Sequence, residues 1–346
     1  MKMRAMVLEK NHDLLKEKHP LVLREIDIPK LGRKEILIRI EACGVCHTEL
    51  DEIEGRTAPA NFPIILGHEV VGTVEKTDSR CQEFKIGDRV GVGWIYSACG
   101  RCEYCLSGKE NLCSEFKATG RDADGGYAEY IKITEDFAVK IPVSLDSEQT
   151  APLLCAGGVG FRSLKLTNIR EGNNLGLTGF GASGHLVLLL VKKIYPDVKV
   201  YVFARNKKER EFALDLGATW AGDTVDHSPQ KLHAIIDTTP VWKPVVEALK
   251  NLTPGGRLVI NAIRKENSDI DYLNRLKYHE HLWLEKEIKS VANVTRSDIT
   301  EFLKLAAKFD LTPEVQIYNL NEANRALIDL KQGKIRGAKV LAINEK

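Results

Sequence analysis

Four cysteines form the densest group of possible metal ligands in this chain. They are Cys99, Cys102, Cys105 and Cys113. Thiolates are soft ligands that select zinc, and these short intervals allow one loop to surround a tetrahedral ion with bonds of roughly 2.3 Å. The alternative, two disulfides, requires an oxidising compartment, and no apolar signal segment follows Met1. We therefore predict a structural zinc lobe at about residues 94–114.

A second group combines thiolate, imidazole and carboxylate ligands. Cys46 is followed about twenty residues later by His68 and Glu69, whereas Cys155 is remote in sequence. Three protein ligands and one open position characterise a catalytic zinc site, in which the ion acts as a Lewis acid on a substrate oxygen. Spacing alone leaves another interpretation open, in which Cys46 and Cys155 are small buried side chains and His68 is a hydrogen-bonded core histidine.

Two domains are expected to position these groups, since 346 residues exceed the size of one ordinary core. After Asn173 strands and helices alternate, which predicts a doubly wound parallel sheet of the α/β class. The expected strands cover 175–178, 199–203, 234–237 and 257–261, and the expected helices cover 185–194, 207–216 and 244–252. The stretch 267–287 carries many charges and is expected to be helical and partly exposed, and apolar periodicity predicts helices after Ser297. His279 and His281 lie in 267–287 without nearby thiolates, so no third metal site is expected.

The turn after the first of these strands has a phosphate-binding pattern. Gly179, Gly181 and Gly184 form G-x-G-x-x-G between a predicted strand and a predicted helix. The first glycine permits a tight turn, the second permits close approach of a pyrophosphate, and the third permits close packing of helix and strand. Amide groups at the helix N-terminus then face the anion. The motif and its context predict a dinucleotide-binding domain.

The end of the next strand predicts which dinucleotide binds. An Asp or Glu there would hydrogen-bond the adenosine ribose of NAD, but this chain has Arg205, Asn206, Lys207 and Lys208. A guanidinium pairs with a 2′-phosphate, which a carboxylate would repel. We therefore predict NADP(H) rather than NAD(H). The alternative is that these cations only decorate a solvated helix start.

Charge and hydropathy exclude two classes of partner. The formal net charge is +2, and basic residues are interleaved with acidic ones, so a nucleic acid is not expected as a partner. The longest purely apolar run, residues 186–191, is far shorter than the roughly 20 residues of a membrane span. We expect a soluble, cytoplasmic protein.

The motifs and their order along the chain resemble the zinc-dependent alcohol dehydrogenases of the medium-chain dehydrogenase/reductase superfamily. The resemblance spans nearly the whole chain. The motifs that match the family lie in residues 44–48, 67–69, 99–113, 125–130, 152–157 and 179–184. It implies a mostly-β, GroES-like catalytic domain formed by residues 1–153 and 293–346. It also implies a Rossmann domain over residues 154–292.

The resemblance also implies roles for individual residues. Cys46, His68 and Cys155 would bind the catalytic zinc, with Glu69 beside it as an indirect or transient ligand. Thr48 matches the hydroxyl that hydrogen-bonds the substrate oxygen and passes its proton outward.

Three further positions match the family more loosely. Glu49 resembles the acid that orients the zinc-binding histidine. His47 matches a position that often contacts the pyrophosphate, unless it is an exposed loop histidine, and Trp94 matches a substrate-pocket position, unless it is a core residue.

Three positions depart from the family pattern. Asp51 stands where many relatives have a histidine that ends the proton relay, and Val159 replaces a threonine that often contacts the nicotinamide. Ala338 stands where relatives often have a pyrophosphate-binding arginine, for which Arg336 is a possible substitute.

The resulting expectation is an alcohol dehydrogenase or aldehyde-ketone reductase with two zinc ions per chain, NADP(H) as coenzyme and a small alcohol, aldehyde or ketone as substrate. The family suggests a homodimer or homotetramer. The alternatives are an NAD-dependent alcohol or polyol dehydrogenase, a cinnamyl-alcohol-type reductase, and a non-catalytic NADPH-binding sensor.

Overall fold

The computed structural model describes residues 1–333 and 337–344, so Arg336 lies outside the described residues. The chain forms two compact units. One contains Met1–Cys155 and the C-terminal segment from Val294, and the other contains Ala156–Asn293. These boundaries lie two residues and one residue beyond the predicted ones. Cys155 is therefore in the same unit as Cys46 and His68.

The secondary structure of the first unit, within the described residues, consists mainly of short strands. In order, the elements before Cys155 are β1 (Lys2–Leu8), β2 (Leu21–Asp27), β3 (Glu35–Val45), α1 (His47–Ile53), β4 (Ile64–Ile65), β5 (Val70–Thr77), β6 (Arg89–Val92), β7 (Ile95–Ser97), α2 (Glu103–Leu106), β8 (Lys117–Ala118), β9 (Tyr130–Thr134), β10 (Ala138–Lys140) and α3 (Ser147–Thr150).

The second unit alternates helices and strands, and the chain then returns to the first unit. The elements of the second unit are α4 (Ala156–Thr167), β11 (Asn174–Thr178), α5 (Ala182–Ile194), β12 (Lys199–Phe203), α6 (Lys207–Asp215), β13 (Trp220–Gly222), β14 (Leu232–Asp237), α7 (Lys243–Leu249), β15 (Leu252–Ile260), α8 (Tyr278–His281) and β16 (Glu287–Ser290). The returning elements are α9 (Arg296–Phe309), β17 (Val315–Asn319), α10 (Ala323–Lys331) and β18 (Ala338–Ala342).

A seven-stranded sheet organises the first unit. Its order is β10-β6-β5-β3-β18-β17, and β9 also pairs with β3. Alternate residues of β3 are buried in the core, including Ile36, Ile38 and Ile40. The antiparallel pairing of β3 with β5 sets Cys43 opposite Val70. The end of β3, which leads to Cys46, therefore lies beside the start of β5, which follows His68 and Glu69.

The second unit contains a six-stranded parallel sheet, as the sequence predicts. Its strand order is β13-β12-β11-β14-β15-β16. β12 follows β11 on one side and β14 lies on the other, so the order reverses beside β11, where doubly wound sheets bind their ligands. Buried residues such as Tyr201, Ile235 and Leu258 form a core on this sheet.

The second unit differs from the sequence-based expectation at two places. The strand expected to start at residue 257 starts earlier, at Leu252, because β15 continues through a shift in its register with β14, and Gly255 within it has a φ of 67°. The helix expected over 267–287 is replaced by a 3₁₀ helix at Ile270–Arg275 and the short α8. Most side chains there are exposed or half-buried, in agreement with the expected partial exposure.

The two C-terminal helices follow their predicted periodicity. α9 buries Phe302, Leu303 and Ala306, and α10 buries Leu327 and Leu330. The buried residues of α10 belong to the core of the first unit. Among the described residues, no helix is long and apolar enough to cross a membrane.

Candidate active site and coenzyme site

Four side chains from distant parts of the sequence converge in the first unit. One ligand atom from each of Cys46, His68, Glu69 and Cys155 lies within 4.8 Å of the others. His68 is fully buried, and Glu69 and Cys155 are at least nine-tenths buried. The structure thus brings together all four residues that the sequence proposes for the catalytic metal.

Glycine residues allow the chain segments around the metal cluster to pack closely. A Cβ atom on Gly44 would lie 1.7 Å from Oε2 of Glu69, and the Gly44 amide donates to the Glu69 carbonyl at 3.0 Å. Gly67 has a φ of 98°, which favours glycine, and a Cβ atom there would lie 2.5 Å from the ring of Tyr127. The Gly126 amide donates to the Gly67 carbonyl at 2.8 Å. Gly44 and Gly67 are therefore needed because the chain around His68 and Glu69 packs too closely for a larger side chain.

Glu49 positions the histidine. Its Oε1 lies 2.6 Å from Nδ1 of His68, and its Oε2 accepts a hydrogen bond of 2.8 Å from the Cys46 amide. One carboxylate thus ties the start of α1 to the imidazole ring. Because Nδ1 faces Glu49, Nε2 is the nitrogen left for a metal. Nε2 is buried and has no geometrically satisfactory hydrogen-bond partner.

The electrostatics of the cluster suit a bound cation. The hydrogen bond with Cys155 lowers the pKa of Cys46 well below that of a free thiol, against the effect of burial. Burial opposes the charge on His68, but Glu49 and Cys46 outweigh it and raise the pKa of His68 well above its usual range. Burial and the Cys46 charge raise the pKa of Glu69. Two thiols, one imidazole nitrogen and a nearby carboxylate fit a zinc ion in chemistry and burial.

Thr48 and Trp94 lie beside this cluster. Oγ1 of Thr48 is 3.7 Å from Sγ of Cys46. The ring centroid of Trp94 is 4.9 Å from that of His68 in an edge-to-face contact. Trp94 is also buried, so it is part of the packing around His68.

Asp51 is engaged in an ion pair. Its Oδ1 accepts from Arg56 at 2.6 Å, and Arg56 also pairs with Glu54. Lys331 of α10 pairs with Glu54 in turn. This network ties Asp51 to the C-terminal end of α1.

The four cysteines of the lobe also converge. One ligand atom from each of Cys99, Cys102, Cys105 and Cys113 lies within 4.8 Å of the others, and Sγ of Cys99 is 3.9 Å from Sγ of Cys105. A zinc tetrahedron with bonds of about 2.3 Å has edges of about 3.8 Å. All four thiols are free of disulfides, so this geometry fits a zinc ion.

Backbone amides stabilise thiolates in the lobe. The Cys102 amide donates to Sγ of Cys99, and the Cys99 and Glu115 amides donate to Sγ of Cys113. Hydrogen bonding from the Arg101 and Cys102 amides lowers the pKa of Cys99 to about 6. Burial raises the pKa of Cys105 to about 12. A bound dication would favour the thiolate form of each cysteine.

The three glycines of the G-x-G-x-x-G motif have the geometry that the motif requires. Gly179 has a φ of 76° directly after β11. Nothing lies within 4 Å of a Cβ position on Gly181, which leaves space for a ligand beside the start of α5. A Cβ atom on Gly184 would lie 3.0 Å from the Gly179 carbonyl, so helix and strand pack closely there.

The cationic segment lies between β12 and α6, where the sequence expects a coenzyme ribose. Arg205, Asn206, Lys207 and Lys208 are all exposed. Asn206 caps α6, because its Oδ1 accepts from the Lys208 amide at 2.9 Å. Arg210 donates to the Ala204 and Arg205 carbonyls. His47 is exposed at the start of α1 in the other unit.

Glu52 is the residue near the metal cluster that sequence reasoning missed. It is completely buried on α1, although an acidic residue in a charged helix is expected at the surface. The sequence did contain one indication: Glu52 follows Thr48 by four residues and Glu49 by three, which places the three side chains on the same side of a helix.

Comparisons with known proteins agree with this architecture. Residues 32–143 match the family described as the alcohol dehydrogenase GroES-like domain. The chain is 41% identical over 321 residues to the probable alcohol dehydrogenase AdhA of Mycobacterium tuberculosis, covering 91% of each chain. It is 35% identical over 337 residues to an alcohol dehydrogenase of Geobacillus stearothermophilus, covering 95% of this chain and 97% of the relative.

A solved structure supports the fold. The cobalt- and zinc-bound thermostable alcohol dehydrogenase of Pyrobaculum aerophilum has a TM-score of 0.85 and 23% identity, covering 99% of this chain and 100% of the other. A GroES-like unit joined to a Rossmann unit defines the class of medium-chain dehydrogenases and reductases. Within that class, the chain belongs to the alcohol dehydrogenase family. The predicted fold class and enzyme class are therefore confirmed.

Proposed function

We propose that this enzyme interconverts alcohols with aldehydes or ketones, with zinc at the Cys46, His68 and Cys155 cluster and NADP(H) at the Rossmann unit. The observation that carries the proposal is the convergence of two thiols and an imidazole beside the Thr48 hydroxyl. A zinc ion held by these ligands would supply Lewis-acid polarisation of the substrate oxygen, and the coenzyme would supply the hydride.

The residues of the chain orient the reacting groups and move the proton. Thr48 hydrogen-bonds the substrate hydroxyl, takes its proton during alcohol oxidation and releases a proton outward. Glu49 holds His68 with Nδ1 occupied, so that Nε2 faces the metal position. Trp94 packs against His68 and excludes water from one side of the site. Glu69 lies close enough to the thiols that its carboxylate would be available as a further ligand of a bound zinc ion.

We further propose a second zinc ion in the four-cysteine lobe, with a structural role. All four ligands there come from the chain, which leaves no open position for a substrate. The lobe has little apolar burial of its own, because Tyr104, Leu106 and Leu112 are exposed. Its fold would therefore depend on the metal.

The coenzyme proposal depends on the cationic segment. Arg205 is exposed just after β12, and the three residues that follow it in sequence include two lysines and no acid. The Asn206 side chain is already used as a helix cap, so Arg205 is the residue that we assign to the 2′-phosphate. An Arg–phosphate pair contributes about 1.5–3 kcal/mol, which is roughly ten- to a hundredfold in kcat/KM.

The test measures turnover of aldehydes, ketones and alcohols with NADPH and NADH, together with zinc content of the same sample. We expect two zinc ions per chain and a clear preference for NADPH. Arg205→Ala should reduce the NADPH-to-NADH ratio of kcat/KM ten- to a hundredfold. The control, Arg170→Ala, removes an exposed cation elsewhere in the Rossmann unit and should keep that ratio.

Equal Michaelis constants for the two coenzymes, or an undiminished preference in Arg205→Ala, would refute the coenzyme assignment alone. Tight NADPH binding without turnover of any substrate, with one zinc ion per chain, would instead favour a sensor.

A further inference from the structure

Glu52 has an unusual environment for a carboxyl group. It is fully buried, and neither Oε1 nor Oε2 has a hydrogen-bond partner. A buried carboxyl without a partner costs several kcal/mol of stability in rough terms. Such groups are rare in folded proteins, and each calls for a reason such as a ligand.

The register of α1 places Glu52 on the side of the helix that faces the metal cluster. Leu50 and Ile53 point into the apolar core. Glu52 is one turn after Thr48 and three residues after Glu49, so it projects from the same side as these two. Thr48 lies near Cys46, and Glu49 contacts His68. Glu52 therefore extends the polar face of α1 by one turn.

The surroundings of Glu52 are those of a polar subsite beside the reacting centre. The Thr57 amide donates to the carbonyl of Asp51, the residue before Glu52, and Oγ1 of Thr57 is another buried oxygen without a hydrogen-bond partner. Burial, together with the charge of Glu49, raises the pKa of Glu52 well above its usual range, and the charges of His68 and Arg121 oppose this shift. The Arg121 guanidinium lies 5.6 Å from the ring centroid of Trp94, which contacts His68. All these residues belong to the first unit.

We propose that Glu52 binds a second hydroxyl group of the substrate, so that the preferred substrates are diols and hydroxy-carbonyl compounds. This inference rests on the proposed alcohol dehydrogenase function and specifies its substrate class. A hydroxyl group can both donate and accept a hydrogen bond. It is also small, so it can provide the hydrogen-bond partner that a buried carboxyl oxygen lacks. A site built to hydrogen-bond a substrate hydroxyl discriminates strongly against an analogue that lacks it, because its buried polar groups then stay unpaired.

The first experiment measures kcat/KM for 1-butanol and for 1,2-, 1,3- and 1,4-butanediol, which have the same number of carbon atoms. We expect at least one diol to exceed 1-butanol by about tenfold or more. Glu52→Leu should reduce this diol-to-butanol ratio at least tenfold, mainly through KM. Glu52→Gln, which still hydrogen-bonds, should keep part of the ratio.

The matched control is Glu135→Gln. Glu135 is a buried carboxylate of the same unit, but it accepts from the Gln82 and Glu83 amides at 2.8 Å. The control should keep the diol-to-butanol ratio of the wild type. The proposal would be overturned if the diol-to-butanol ratio fell as much in Glu135→Gln as in Glu52→Leu. It would also be overturned if Glu52→Leu left this ratio unchanged.

Thermal unfolding without substrate is the second readout. Glu52→Leu removes an unpartnered carboxyl from the interior, so we expect a higher Tm than that of the wild type. A lower Tm would show that Glu52 has a structural partner, and would overturn the assignment. Turnover of neither butanol nor any diol, aldehyde or ketone would refute the underlying dehydrogenase function, whereas turnover without a diol preference would refute the substrate class alone.

Discussion

Glu49→Ala should weaken the catalytic zinc site without affecting the zinc lobe. The substitution removes the carboxylate that lies 2.6 Å from Nδ1 of His68 and accepts from the Cys46 amide at 2.8 Å. A hydrogen bond to a charged group contributes about 1.5–3 kcal/mol, and each 1.4 kcal/mol is about tenfold in affinity. We therefore expect about a ten- to hundredfold loss of zinc affinity, as is typical for residues that orient a metal ligand.

The assay is competition of the purified enzyme with a chromogenic chelator, followed as two phases of zinc release. The phase from the lobe is an internal reference, because its four cysteines are distant from Glu49 in sequence. Glu49→Gln keeps one acceptor oxygen and should lose less affinity than Glu49→Ala. Glu103→Ala changes an exposed glutamate of the lobe and serves as the control. A catalytic-site affinity within twofold of the wild type in Glu49→Ala would refute this reasoning.

Two further substitutions test the site. Asp51→Ala should lower kcat less than tenfold, since Asp51 is paired with Arg56. Steady-state kinetics measure this change, and a loss of several hundredfold in kcat would identify Asp51 as a general base. Gly44→Ala would place a Cβ atom 1.7 Å from Oε2 of Glu69, and should lower the unfolding free energy by about 1–3 kcal/mol. In a Glu69→Ala background, Gly44→Ala should lower the unfolding free energy by less than half of that amount. Chemical denaturation measures this free energy in both backgrounds. Equal losses in the two backgrounds would disprove the steric explanation.

The Rossmann unit could be predicted in detail because its signals are local. β12 has the predicted bounds, and the three glycines have the spacing and geometry that a tight turn before a helix requires. The segment 267–287 could not be predicted in this way. The sequence suggests a partly exposed helix there, but the structure has a 3₁₀ helix and the short α8, and their mostly exposed side chains form no packed face that would define a longer helix.

The catalytic cluster was predictable as a list of residues but not as a site. Cys46, His68 and Cys155 are separated by long stretches of sequence, and spacing alone leaves them compatible with ordinary core residues. The family resemblance supplied their grouping. The pairing of β3 with β5 and the space left by Gly44 explain physically why they converge.

The sequence by itself determined the zinc lobe spacing, the dinucleotide-binding turn and the absence of an acid beside Arg205. Each of these is decided within a few residues, where covalent geometry limits the available structures. Only the tertiary structure decided that Asp51 pairs with Arg56 and that Glu52 is buried without a partner. These properties depend on which distant side chains fill the space around α1, and an acidic residue in a helix carries no local signal of that packing.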